Sequence, residues 1–302
     1  MATFVGVFDP LLFRIMRKRR ILITLLFFVV VVLAVGGFVV TQPSDLRTVT
    51  VREGGGEARA RQLLNEMGLA HGIDQWKNVA AYTALFEDEF FGMLGKNSAP
   101  FPQENTQFTL EYIPGTFDGR LSFVNGELKG TTWGVQSWQT YTETDGGAPQ
   151  LLEDDNITFW VPTYQYFIEF PLRIQQATAV AYAGEKVING TPCVGVLASW
   201  GQVAPQKDID QYLIWLDASS KRIVKLEYTI REMMGFLTGA AHYTEYRDFD
   251  GLILATKYPV ESNLVREGFL HEMRLLDFHA NAVNPDVVRP LRDVATMGDK
   301  KR

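Results

Sequence analysis

Apolar and polar positions alternate along the stretch from Val224 to Arg231. Val224, Leu226, Tyr228 and Ile230 fall on one side, and Lys225, Glu227, Thr229 and Arg231 on the other. A period of two marks a strand with one buried and one wet face. The strand before it, Tyr212 to Leu216, departs from that pattern: Tyr212, Ile214 and Leu216 point one way, Leu213 and Trp215 the other, and all are apolar. Both faces of this strand therefore need cover, from more protein or from a greasy ligand.

Similar runs predict strands at about 78–90, 107–113, 119–125, 128–143, 179–188, 192–200, 210–217, 222–232, 240–249, 252–260 and 269–279. Asp118-Gly119, Asn125-Gly126, Asn189-Gly190 and Asp250-Gly251 punctuate them, and such dipeptides tolerate the positive φ of tight hairpins. The spacing after residue 179 leaves no room for helical crossovers, so the sheet is expected to be antiparallel. Two helices are expected. One covers about 57–67, with Ala60, Leu63, Leu64 and Met67 at three- and four-residue spacing. The other lies near 163–175, in "FWVPTYQYFIEFPLRIQQ", with Pro162 where it can start and Pro171 where its first stretch must stop or kink. It is apolar nearly all round, which suits either a core plug or a lid across a ligand cavity.

The N-terminus follows a different rule. Ile21 to Val40 is twenty residues without a charge, enough to cross a bilayer as a helix, and Arg14, Arg17, Lys18, Arg19 and Arg20 precede it. The positive-inside rule leaves residues 1–20 as a cytoplasmic tail and places the chain after 21–41 outside. A cleaved signal peptide is the rival, disfavoured by the length of the run and its poor cleavage site near Gly37. The expected location is the cell membrane, single-pass, with the main domain extracytoplasmic, and periplasmic in a Gram-negative cell. Residues 42–56, with Pro43 and Gly54-Gly55-Gly56, read as a flexible linker. Residues 57–290 then form the domain, and 291–302 a C-terminal tail.

From residue 57 onward there are 22 Lys plus Arg and 32 Asp plus Glu, a formal charge of −10. Nucleic acid is thereby excluded as a partner of the domain as a whole. Cys193, the one cysteine, reads as a buried thiol in a strand and supplies neither a disulfide nor a lipid-attachment site. Catalytic chemistry is sparse. His71, His242, His271 and His279 are the only histidines, and His271 and His279 stand about 26 Å apart along one strand. No zinc motif, nucleophile elbow or phosphate loop occurs, and Glu153 to Asp155 read as a solvated loop. No cofactor, metal or catalytic residue is assigned. In "GTTWGVQSWQTYTE", Trp133 and Trp138 stand among polar groups on a strand of mixed faces, as at a partly wet cavity or at an ordinary edge. The candidate ligand-binding residues are Trp133, Trp138, Tyr166, Phe167, Phe170 and Trp215.

The order of these elements, with "WLDASSKRIVKLEY", "YRDFDGLILATKYPV" and "GLAHGIDQWKNVAAYTALFEDEF", resembles the lipoprotein-carrier superfamily of LolA- and LolB-like proteins. The resemblance covers most of residues 57–290. It implies an α+β fold: a curved antiparallel half-barrel of about ten strands, its apolar concave face covered by helices and able to hold acyl chains. No ligand motif of the carriers maps onto particular positions here. The carriers also lack a span such as 21–40. Two functional classes follow: a membrane-anchored binder of a lipid, acyl chain or lipoprotein, and an interaction or envelope-sensing module that binds a partner protein with a self-filled core. An enzyme acting on lipids stands third.

Overall fold

The structure is a computed structural model that describes residues 43–292 and 294. The apolar run 21–40 lies outside the described residues, and among those described no helix is long and apolar enough to cross a membrane. The helices are α1 (Val49–Arg52), α2 (Glu57–Ala70), α3 (Gly92–Ser98), α4 (Asp155–Arg173) and α5 (Pro285–Val288). The strands are β1 (Tyr82–Phe90), β2 (Asn105–Tyr112), β3 (Gly119–Phe123), β4 (Thr131–Gln136), β5 (Gln139–Thr144), β6 (Gln150–Leu151), β7 (Ala179–Ile188), β8 (Thr191–Ser199), β9 (Tyr212–Asp217), β10 (Ile223–Thr229), β11 (Thr238–His242), β12 (Arg247–Phe249), β13 (Leu252–Leu254), β14 (Lys257–Ser262) and β15 (His271–Ala280).

Thirteen strands form one open antiparallel sheet, in the order β6-β5-β4-β3-β2-β1-β15-β14-β11-β10-β9-β8-β7. The edges β6 and β7 do not pair, so no barrel closes, and β12 and β13 make a separate ribbon. The α+β class and the antiparallel sheet expected from the sequence hold, with more strands than the ten anticipated. The run 128–143 is in fact a hairpin, because the chain reverses at Ser137 (φ 50°) and Trp138 (φ 66°). Asn189-Gly190 and Asp250-Gly251 do make two-residue turns with both φ positive, whereas Asp118-Gly119 stands where a longer connection enters β3 and Asn125-Gly126 sits within a longer connection.

Several aromatic rings lie flat on a glycine of the neighbouring strand: Tyr112 on Gly119, Tyr141 on Gly134, Tyr228 on Gly239 and Trp215 on Gly195. A Cβ at any of these glycines would come within 1.8 to 2.7 Å of the ring. The absent side chain thus lets a large ring lie against the sheet and fixes where it points.

The main core lies on the face covered by α2 and α4, among Leu63, Met67, Phe86, Phe108, Tyr164 and Phe170. The opposite face answers the question posed by strand Tyr212 to Leu216. Leu213 and Trp215 belong to a second cluster with Ala181, Ala183 and Leu197, closed by Leu46 and Val51. Residues 44–53 therefore act as a strap, which corrects the expectation of a flexible linker there. Thr48 Oγ1 donates to Ala183 O at 2.9 Å, and Leu46 N donates to Gln211 Oε1 at 3.1 Å. Apolar Leu46 and Val51, not the glycines beyond them, decide the behaviour of this stretch.

Candidate functional site

Helix α4 starts eight residues before the predicted position, because Asp154 caps it: its side chain accepts from Ile157 N at 3.0 Å. Both prolines lie inside. Pro171 leaves the carbonyl of Phe167 without its helical donor, and the Tyr243 hydroxyl supplies one at 3.2 Å. The sheet side of the helix is bolted down at two levels. Tyr164 OH donates to Asp88 Oδ2 at 2.8 Å, and His271 Nδ1 stands 2.7 Å from Asp88 Oδ1. Further along, Glu169 pairs with Arg173 at 2.9 Å and accepts from Tyr82 OH, Gln165 Nε2 and Gly115 N. Burial pushes the Glu169 carboxyl upward, against the pull of Arg173. A helix held by buried polar groups hydrogen-bonded at two levels is a fixed wall rather than a swinging lid.

Its other side borders a cavity of about 210 Å³. Phe159, Pro162, Thr163, Tyr166 and Phe167 form one wall, Tyr212, Leu226, Tyr228 and Ile230 another, and Phe117 with Trp138 closes an end. Asp210, Thr229 and Glu232 add polar groups. Asp210 Oδ1 accepts from Thr229 Oγ1 at 2.7 Å and Arg231 N at 2.9 Å, and burial raises this carboxyl above the ordinary range. A second depression shares Thr158, Phe159 and Glu232 with the cavity and adds Asp155 and Met233, so the open side faces the N-terminus of α4 and the loop after β10.

Rings continue across the cavity: Phe117 lies 5.0 Å from Trp138 and 6.3 Å from Tyr166, and Tyr166 lies 5.6 Å from Tyr212. In the sheet, β4 and β9 are eight strand positions apart, about 38 Å if flat at 4.8 Å per strand. Such short ring-to-ring steps between them require the sheet to wrap around α4.

No protein family and no curated protein matches the sequence. Among solved structures, a LolA superfamily protein from Nitrosomonas europaea superposes with a TM-score of 0.50, over 76% of this chain and 96% of its own, at 9% identity. The fold is LolA-like. A DUF1329 family protein from Desulfovibrio piger is similar at a TM-score of 0.46, over 74% of this chain and 95% of its own, at 11% identity.

Of the six candidate residues, the LolA-like sheet and its helix bring Trp138, Tyr166 and Phe167 to the cavity. Phe170 is fully buried behind that wall, 5.7 Å from both Tyr166 and Tyr212. Trp133 packs elsewhere in the core, 4.9 Å from Phe123 and 5.8 Å from Phe101. Trp215 is on the opposite face, where its Nε1 donates to Glu227 Oε1 at 2.8 Å beneath Lys186. Sequence reasoning missed Phe117, Phe159, Tyr212 and Tyr228. The last two are direct cross-strand partners, and pairing the hairpin Asp210 to Ile230 on its short turn would have shown both rings on one face. Cys193 is buried, and burial raises its thiol. Among the described residues no three His, Cys, Asp or Glu side chains are grouped to hold a metal ion.

Proposed function

We propose that this chain is a membrane-tethered extracytoplasmic protein that binds one apolar chain, of a lipid, a fatty acyl group or a lipoprotein, in the cavity along α4. The supporting observation is an unfilled, ring-walled space beside an otherwise tightly packed core. Its size exceeds the ~150 Å³ of an apolar cavity that holds benzene and falls below the roughly 300–1,000 Å³ of drug-sized pockets. One acyl tail or its end fits, with the polar head near Asp210 and Glu232 at the open side. Each methylene taken from water contributes about 0.8 kcal/mol. Residues 21–40 supply the tether and place the LolA-like domain outside the cytoplasm.

Titration of the protein with a fluorescent acyl probe tests this reading. Thr163→Phe, which fills the cavity from a half-buried position, is expected to weaken binding at least tenfold while the protein stays folded. Equal affinity in the variant would place the probe elsewhere. An interaction module is the second reading, favoured by exposed Met93, Leu94, Leu264 and Phe269 around an apolar hollow at one end of the sheet.

A further inference from the structure

The strand registers align Thr229, Thr238, Ser262, His271 and Phe90 along one end of the sheet, through the pairs Thr229↔Thr238, Gly239↔Ser262, Val260↔His271 and Phe90↔His271. The three connections that leave this end carry the largest exposed apolar side chains nearby. Met93 (82% exposed) and Leu94 lie after β1, Met233 (49%) and Met234 (54%) after β10, and Leu264 and Phe269 (40%) after β14. The cavity opens on the same rim, beside Glu232 and Met233. Exposed thioethers and rings grouped on one rim are unusual for a domain bathed in water on all sides.

The chain itself returns to this rim. Ser44 N donates to Gly235 O at 2.9 Å, and Arg231 donates to both the hydroxyl and the carbonyl oxygen of Ser44. The start of the described chain is thus tied to the loop that carries Met233 and Met234. Only Thr41, Gln42 and Pro43 stand between Ser44 and the apolar run that ends at Val40. Four Cα steps reach at most about 14 Å.

We infer that this rim rests on the bilayer into which residues 21–40 insert, with Met233, Met234 and Met93 in its interfacial layer, so that the cavity opens onto lipid rather than onto bulk water. The inference rests on reading 21–40 as a membrane span. Its lipid is a neutral, zwitterionic surface: the domain's net negative charge disfavours an anionic one, and Lys96 on the rim is already paired with Glu104 at 2.6 Å. An apolar chain then passes between membrane and cavity without crossing water, and the short tether holds the opening in register with its source.

The test uses the full-length chain, with Cys193→Ser, reconstituted in vesicles of phosphatidylcholine alone. A bimane fluorophore is placed in turn at Met233→Cys, Met93→Cys and Val187→Cys. Val187, in the hairpin at the opposite end of β7, is the exposed control. Spin-labelled phosphatidylcholine is expected to quench the fluorophore at 233 and 93 several-fold more than at 187. Equal, weak quenching at all three positions would overturn the inference while leaving acyl binding untouched, and would assign the rim to a protein partner absent from pure lipid vesicles. A chain that fails to float with the vesicles would overturn the span and this inference together.

Discussion

His71, 2% exposed, stands at the C-terminus of α2 with both ring nitrogens engaged: Nδ1 lies 3.0 Å from Ile253 O, and Nε2 is 3.3 Å from Ile223 N. Since a backbone N–H must donate to Nε2, the ring is neutral with its proton on Nδ1. Burial pushes its pKa from 6.5 down to about 4. The unfolded chain therefore binds the extra proton between those values. Stability from this group is complete above pH 6.5 and falls as the pH drops toward 4, by about 3 kcal/mol in all. Chemical denaturation of wild type and His71→Gln across this window checks it: the variant's stability should fall less steeply with acid, and parallel slopes would contradict the assignment. Two tryptophans offer a second contrast at this scale. Trp215→Ala should cost roughly 3–5 kcal/mol and leave acyl-probe affinity unchanged, since its ring lies under the strap on the face away from the cavity. Trp138→Ala should weaken the probe severalfold for a stability loss of only about 1–2 kcal/mol, because its ring is half-buried at the cavity end. The same effects from both would mean the cavity wall is ordinary core.

At the scale of elements, the β4–β5 turn shows what pattern reading could and could not reach. Two-residue hairpins with positive φ at both central positions favour Asn-Gly, and here they are Ser-Trp. With no turn signal, the run 128–143 reads as one strand. The chain reverses there because Asp118 takes Ser137 N at 2.7 Å, a contact made across the fold and invisible to local pattern. Keeping a bulky ring in left-handed backbone costs stability, and its result is to set Trp138 against Phe117 at the cavity. Ser137 Oγ is buried without a hydrogen-bond partner among the described residues. Ser137→Gly should therefore raise stability by about 1 kcal/mol, read from the denaturation midpoint, with acyl binding retained; a loss would show that Ser137 is not strained. Helix α2 was legible because its apolar stripe, Ala60, Leu63, Leu64 and Met67, is local. Helix α4 was misplaced because its prolines read as boundaries, whereas the Tyr243 hydroxyl supplies the donor that Pro171 lacks.

Over the whole molecule, the antiparallel sheet was legible from period-two runs, and its helix-covered face from the one-sided strands. The cavity was only half legible. Tyr166 and Phe167 were found through the aromatic helix, but Phe117 and Tyr212 meet them through the wrapping of a thirteen-strand sheet, which no single segment encodes. Trp215 lies away from the cavity for the complementary reason: its cover comes from Leu46 and Val51, far away in sequence and set in a stretch of polar and glycine residues. The proposed function makes the space along α4 a binding site and not a packing defect. Native mass spectrometry of residues 43–302, retaining the strap and purified without detergent, tests it most directly. A one-to-one complex with an acyl-chain molecule is expected, either carried through purification or formed on addition of a medium-chain lipid, and lost in Thr163→Phe. A wild-type protein that shows only its bare mass at every lipid concentration would contradict it.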